Sequence, residues 1–393
     1  MSSGPLTLLA ILGLAVPLGS QPAADGAVRD VIGRSSDFST RLYRALASRS
    51  DDNVLLCTAS VWRGLAALLG ATGGATREEL RTALGLAGLD PQNISDALST
   101  ITGTPAGGGA LNLRQGTALF TEASAQASAQ FAELLRRDYG GSVKSLAFDA
   151  PQDASEAINA WVRQQTGDRV QDAVTDVDPR TKWLLATAAS YQGRFSQAFN
   201  ASATADERFY VDRYHVATVP MMLRADKYFL AYDRSLRAGV LKLPMTDGAA
   251  ALLVLPDEDV DIGALEEQVS SEKIRAWIRQ LKKTKLEVQL PRFFLDRTYS
   301  LGDALRTLGV VQVFGDDADL SNAGGPEGAK VSQVLHKAVA TMDESGPGDA
   351  AAAAAFSSPP PRLTFNRPFH FVVYHQTSGG LLLMGRLRDP TKK

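Results

Sequence analysis

Cysteine is almost missing: Cys57 is the single one in 393 residues. No intrachain disulfide can form, and neither a thiolate zinc site nor a CxxC redox pair is available, so packing alone must stabilise the fold. An excess of one charge is missing too. The net −2 gives the chain as a whole no pull toward nucleic acid or an anionic membrane. After the first twenty residues no apolar run is long enough to cross a bilayer. The four histidines, His215, His336, His370 and His375, are too widely spaced for an HExxH zinc pair. There is no GxSxG elbow, GxGxxG turn or Walker loop. A cysteine nucleophile would have to be Cys57, whose apolar neighbours Val54, Leu55 and Leu56 favour a buried structural thiol. Catalysis has no supporting constellation, and no metal or cofactor is expected.

At the N-terminus, an apolar run over residues 6–16 precedes Pro17, Gly19 and Ser20. It is too short to span a membrane and reads as a signal peptide over residues 1–20, cleaved near Ser20, with residues 21–35 as an N-terminal extension. Secretion would make the sequons at Asn93 and Asn200 glycosylation sites.

From residue 36 onward helical and strand-like patterns interleave without a linker, which argues for one mixed α/β (α+β) domain over 36–393. Residues 36–47 carry Phe38, Leu42, Tyr43 and Leu46 at helical spacing, with Ser36 as cap. Thr76 and Glu79 form a capping-box pattern at the head of a helix over 76–84. Further helices are expected over 155–165, 262–269, 274–281 and 301–308. Strands are expected over 54–56, 183–188, 240–243, 250–255, 286–290, 369–374 and 380–385. His336, between Val334-Leu335 and Lys337-Ala338, reads as a hydrogen-bonded core histidine. Lys282, Lys283 and Lys285, near Arg275 and Arg279, read as a solvated basic face, with a heparin-like glycosaminoglycan as the alternative occupant.

Near the C-terminus, Glu344 opens a run of small residues through Gly346 and the alanines from Ala350 onward, ending in Phe356-Ser357. Low bulk suits entry into an existing sheet as an added strand, and the terminal aromatic suits a protease pocket. This combination resembles the reactive loop of a serpin, here about residues 344–362. Other segments resemble serpin landmarks in the same order: Gly70-Ala71-Thr72, Ile158-Asn159-Ala160-Trp161-Val162, Val219-Pro220-Met221-Met222, Leu290-Pro291-Arg292-Phe293, His336-Lys337-Ala338 and Asn366-Arg367-Pro368-Phe369. His370, the Phe356-Ser357 bond and the trio Asp212-Arg213-Tyr214 resemble the subgroup that meets a protein Z-like cofactor protein.

The resemblance implies three β-sheets and about nine helices, an exposed reactive loop and a secreted monomeric inhibitor of a clotting-type serine protease. Its reactive bond would be Phe356–Ser357, with Arg362 as the runner-up bait. Its hinge would comprise Glu344, Gly346, Pro347, Asp349 and Ala350. Ser60, Thr187 and His336 would form a polar cluster beneath the opening sheet. The chain also departs from the family pattern. Pro347 offers no amide hydrogen to a central strand, and Asp349 would carry a carboxylate toward the core. The span from Glu344 to Phe356 is about four residues short of that in inhibitory relatives, roughly 13 Å of reach. A non-inhibitory carrier or signalling serpin, cut as a plain substrate, is the alternative these departures support.

Overall fold

The computed structural model describes residues 23–102, 111–170, 172–346 and 358–393. Among them lie nine α-helices: α1 (Ala23–Ala47), α2 (Thr58–Ala71), α3 (Gly74–Ala83), α4 (Pro91–Thr102), α5 (Ala129–Tyr139), α6 (Pro151–Thr166), α7 (Ile262–Glu266), α8 (Ser271–Gln280) and α9 (Gly302–Thr307). The strands are β1 (Val54–Leu56), β2 (Leu113–Glu122), β3 (Ser142–Leu146), β4 (Trp183–Gly193), β5 (Ala205–Tyr210), β6 (Val216–Asp233), β7 (Ala238–Pro244), β8 (Ala249–Pro256), β9 (Lys282–Pro291), β10 (Phe293–Ser300), β11 (Val331–Met342), β12 (Arg362–Thr364), β13 (Phe369–His375) and β14 (Leu381–Leu387). No described helix is long and apolar enough to cross a membrane.

Two helix starts differ from expectation, each for a visible reason. Helix α1 begins at Ala23, not at 36, because Val31 and Ile32 continue the apolar stripe of Phe38 and Leu42 upstream. Ser36 is therefore inside the helix and caps nothing; its hydroxyl donates back to the Ile32 carbonyl at 2.9 Å. Thr76 and Glu79 also look outward from their helix. Thr76 Oγ1 accepts from the Asp319 N–H, and a Glu79 carboxylate oxygen accepts from the N–H groups of Val311 and Gln312. The box residues thus satisfy loop donors rather than their own helix end. Helix α2 had no counterpart in the sequence reading. Twelve of its fourteen residues are buried, so it lacks the polar stripe by which an amphipathic helix is recognised.

The strands form two sheets among the described residues, not the expected three. One holds nine strands, in the order β1-β14-β13-β8-β7-β6-β9-β12 with β5 pairing β6; the other runs β10-β11-β4-β2-β3. The long β6 unites what would otherwise be two sheets. Its first third pairs with β5, its middle with β9 and its end with β7.

The five-stranded sheet carries a layer on each face. On one side α2 packs Leu65 and Trp62 into the main core, which includes Leu185, Ala189 and Ala338. On the other, α6 lays Ile158, Trp161 and Val162 over Ala186, Ala188, Leu335 and Val339. Trp161 meets Phe120 edge-on, ring centroids 5.7 Å apart. Alternation along β4 and β11 feeds both layers from the same two strands.

Candidate functional site

At the middle of the five-stranded sheet, β11 and β4 run parallel in an unbroken register from Gln333↔Leu184 to Met342↔Gly193. This closed seam is lined by small residues, Ala186, Ala188 and Ala189 facing Leu335, Lys337 and Ala338. A chain that leaves β11 at its upper end and turns back would run antiparallel to both strands. Such a chain could pair with each of them on opening of the seam.

Midway down, His336 and Thr187 are register partners, and both are buried. The Cys57 N–H donates to His336 Nε2 at 3.1 Å, so the proton sits on Nδ1, which donates to Thr187 Oγ1 at 2.8 Å. Burial holds the imidazole neutral and pushes its pKa down to about 3. Ser60, expected as the third member, is not in the cluster: its buried hydroxyl has no hydrogen-bond partner among the described residues. The Cys57 backbone takes that place, because residue 57 is the N-cap of α2 and its N–H is free of the helix. The Cys57 thiol is likewise buried, its pKa pushed up to about 12, which suits a structural group and not a nucleophile. Helix α2 presses directly on this point. A Cβ at Gly64 would lie 2.5 Å from Thr187 Cγ2.

At the top of the seam the chain is clipped down just after β11. The carboxylate of Glu344 accepts from the Arg292 guanidinium and the Thr204 hydroxyl, both at 2.6 Å. Burial alone would raise its pKa, but these donors outweigh it and hold the carboxyl below the usual glutamate range. Ser345 C=O accepts from the Phe195 N–H at 3.1 Å, and Gln192 Nε2 donates to Asp343 at 3.3 Å. A Cβ at Gly346 would fall 2.5 Å from Ala198 Cβ and 2.7 Å from Phe195 O, so only glycine fits there. The pairing of Thr204 and Arg292 with Glu344 is not legible in the sequence, because each is remote from Glu344 along the chain and only the fold brings them together.

Reversing the charge at Arg292 sets two carboxylates against each other at this clip. We expect Arg292→Glu to cost about 1–2 kcal/mol, discounted for the half-exposed guanidinium, and to speed limited proteolysis after Asp343. In the wild type the clip is complete above the usual glutamate pKa. It fades as pH falls through the lowered one, so the melting temperatures of wild type and variant converge as the medium is acidified below the usual glutamate range.

The other described residues singled out from sequence do not join the seam or the clip. Pro347, Asp349, Ala350, Phe356 and Ser357 lie outside the described residues. Arg362 begins β12, pairs with β9, and its Nε donates to Glu287 at 2.6 Å, so it is anchored in a sheet and unsuited as bait. Asp212, Arg213 and Tyr214 form the turn from β5 to β6. Asp212 is spent on that turn, accepting from the N–H groups of Tyr214 and His215 and from the His215 ring, while Tyr214 is 90% exposed. Beside the turn is a groove of about 710 Å³, walled by Tyr210, Arg213, Glu258, Asp261 and Arg367. His370 is fully buried, its Nδ1 3.3 Å from the Tyr43 hydroxyl, in a network with Glu266 and Arg386. Asn200 is exposed, and its Oδ1 accepts from the Ser202 N–H and hydroxyl. Asn93 is half-buried in the first turn of α4. Strand alternation splits the basic cluster, placing Lys283 and Lys285 on one face of β9 and Lys282 on the other.

A mixed fold with nine helices among the described residues, a closed parallel seam and a chain clipped at its upper end is the architecture of a protease-inhibitor class. The family pattern described as Serpin (serine protease inhibitor) matches residues 34–390, and the chain belongs to the serpins. It is 30% identical over 366 residues to the human protein Z-dependent protease inhibitor, a stretch covering 91% of this chain and 82% of that protein. The crystal structure of the mouse protein Z-dependent protease inhibitor superposes with a TM-score of 0.85 at 27% identity, covering 93% of this chain and 99% of that one. Thyroxine-binding globulin in complex with thyroxine does so with 0.84 at 26% identity, covering 92% and 99%.

Proposed function

We propose that this serpin is a secreted inhibitor of a chymotrypsin-like or clotting-type serine protease, consumed in one turnover. The protease attacks Phe356–Ser357, and the freed arm enters the β4–β11 seam before the acyl-enzyme is hydrolysed. Dragging the bound protease misaligns its oxyanion donors and base, which removes orders of magnitude from deacylation. The observation that carries this reading is the parallel β4–β11 pair with the clip at Glu344 above it, since a strand returning from that clip gains antiparallel partners on both sides. The similarity to the protein Z-dependent inhibitor supports a cofactor protein of the protein Z kind, docked on exposed Arg213 and Tyr214 beside the 710 Å³ groove. Glycans on Asn200 and Asn93 would accompany secretion.

The test is incubation with chymotrypsin. A covalent complex that survives denaturation is expected; quantitative cutting at Phe356–Ser357 with no such complex would defeat inhibition. That second outcome is the carrier reading, which Pro347, Asp349 and the short loop favour and to which the similarity with thyroxine-binding globulin lends support.

A further inference from the structure

A second groove, of about 340 Å³, crosses the strands that anchor the C-terminal side of the loop. Its floor is Met221 on β6 and Gln289 on β9, both buried. One end is Arg362 on β12, whose guanidinium is taken by Glu287. The other is Glu207, Arg208 and Tyr210 on β5, the sheet's outer strand. From β12 through β9 and β6 to β5 are three strand spacings, about 14 Å. At the far end the groove offers charges of both signs that are not spent on the fold. Glu207 and Arg208 are exposed and form no ion pair among the described residues. Beside them Tyr210 is 45% exposed.

Chain length fixes what can lie there. The Phe356–Ser357 bond is about six residues from Arg362, at most roughly 20 Å of extended backbone. An enzyme acting on that bond is wider than this tether and is therefore held close to the Arg362 end of the groove. We propose that the groove is a docking surface for the catalytic domain of the target serine protease, with Glu207 and Arg208 as specificity-determining contacts. The inference rests on the reading of Phe356–Ser357 as the attacked bond. As neighbours on β5, Glu207 and Arg208 project to opposite faces and flank the sheet's outer edge, where charges of opposite sign attract a surface loop with the complementary order and repel one with the reverse.

The double exchange Glu207→Arg with Arg208→Glu tests it, because net charge is unchanged and both residues are exposed on an outer strand, so the melting temperature should hold. The rate constant for loss of intact chain is measured with chymotrypsin and with trypsin, counting covalent complex and cut chain together, at two salt concentrations. A change of more than threefold with at least one enzyme, shrinking at high salt, is expected. Rates within threefold of wild type with both enzymes overturn the docking surface. The split between complex and cut chain reports separately on the inhibitor reading, so the two fail independently. Tyr210 is left intact because it also walls the groove beside Tyr214.

Discussion

Cutting the chain once at Phe356–Ser357 should raise its melting temperature by about 20 °C. In the uncut form β11 and β4 satisfy each other along one shared edge. A returning strand replaces that single ladder with two, a net gain of roughly ten backbone hydrogen bonds at about 1 kcal/mol each. For a chain of this length 1 kcal/mol corresponds to about 2 °C. Two residues oppose the gain. Pro347 forfeits one ladder bond, and Asp349 must lose its charge or find a partner as it passes between α2 and the sheet or between α6 and the sheet. The double variant Pro347→Thr with Asp349→Ala should therefore melt higher still once cut, and should trap a larger fraction of chymotrypsin as covalent complex. Calorimetry on cut and uncut protein decides the matter. A rise under about 5 °C in both wild type and variant would mean that no strand is added, and the carrier reading would stand.

The landmarks legible in the sequence were those whose chemistry is local. Alternation and long apolar runs marked β8 and β13, and helical spacing marked α6 and α8, each with ends displaced by a few residues, while for α1 the spacing marked only the second half of a helix that starts upstream at Ala23. Helix α2 was invisible because burial on all sides erases the polar stripe, and its sequence reads as neither period. The polar cluster was half legible. His336 and Thr187 are hydrogen-bonded to each other, but Ser60, which the family resemblance groups with them, has no partner among the described residues, and the third partner is a backbone N–H that no side-chain pattern can reveal. The clip at Glu344 shows the same limit from the other direction. Its acceptor was conspicuous, but its two donors come from separate loops, and their meeting is a property of the assembled sheet.

Acid should loosen the seam through His336, and this is the second large effect. In the unfolded chain the imidazole takes up a proton near its ordinary pKa of about 6.5, but in the folded chain it resists down to about 3. Between those values the unfolded state binds more protons, so stability falls as pH falls, by up to about 1.4 kcal/mol per pH unit. No compensation is available at the site. The Nε2 lone pair that protonation would consume is the acceptor for the Cys57 N–H at the head of α2, so charging the ring also orphans that donor. A glutamine can accept from Cys57 and donate to Thr187 without titrating. The stability gap between wild type and His336→Gln, measured by denaturant unfolding, should thus narrow by roughly 2–3 kcal/mol from pH 7 to pH 4.5. Parallel profiles would show that the ring is not held neutral, and with that the role of His336 as an uncharged tie between α2, β4 and β11 would fall. If the profiles converge, acid also becomes a means of opening the seam without cutting the loop, because the tie that weakens lies between the strands that must part.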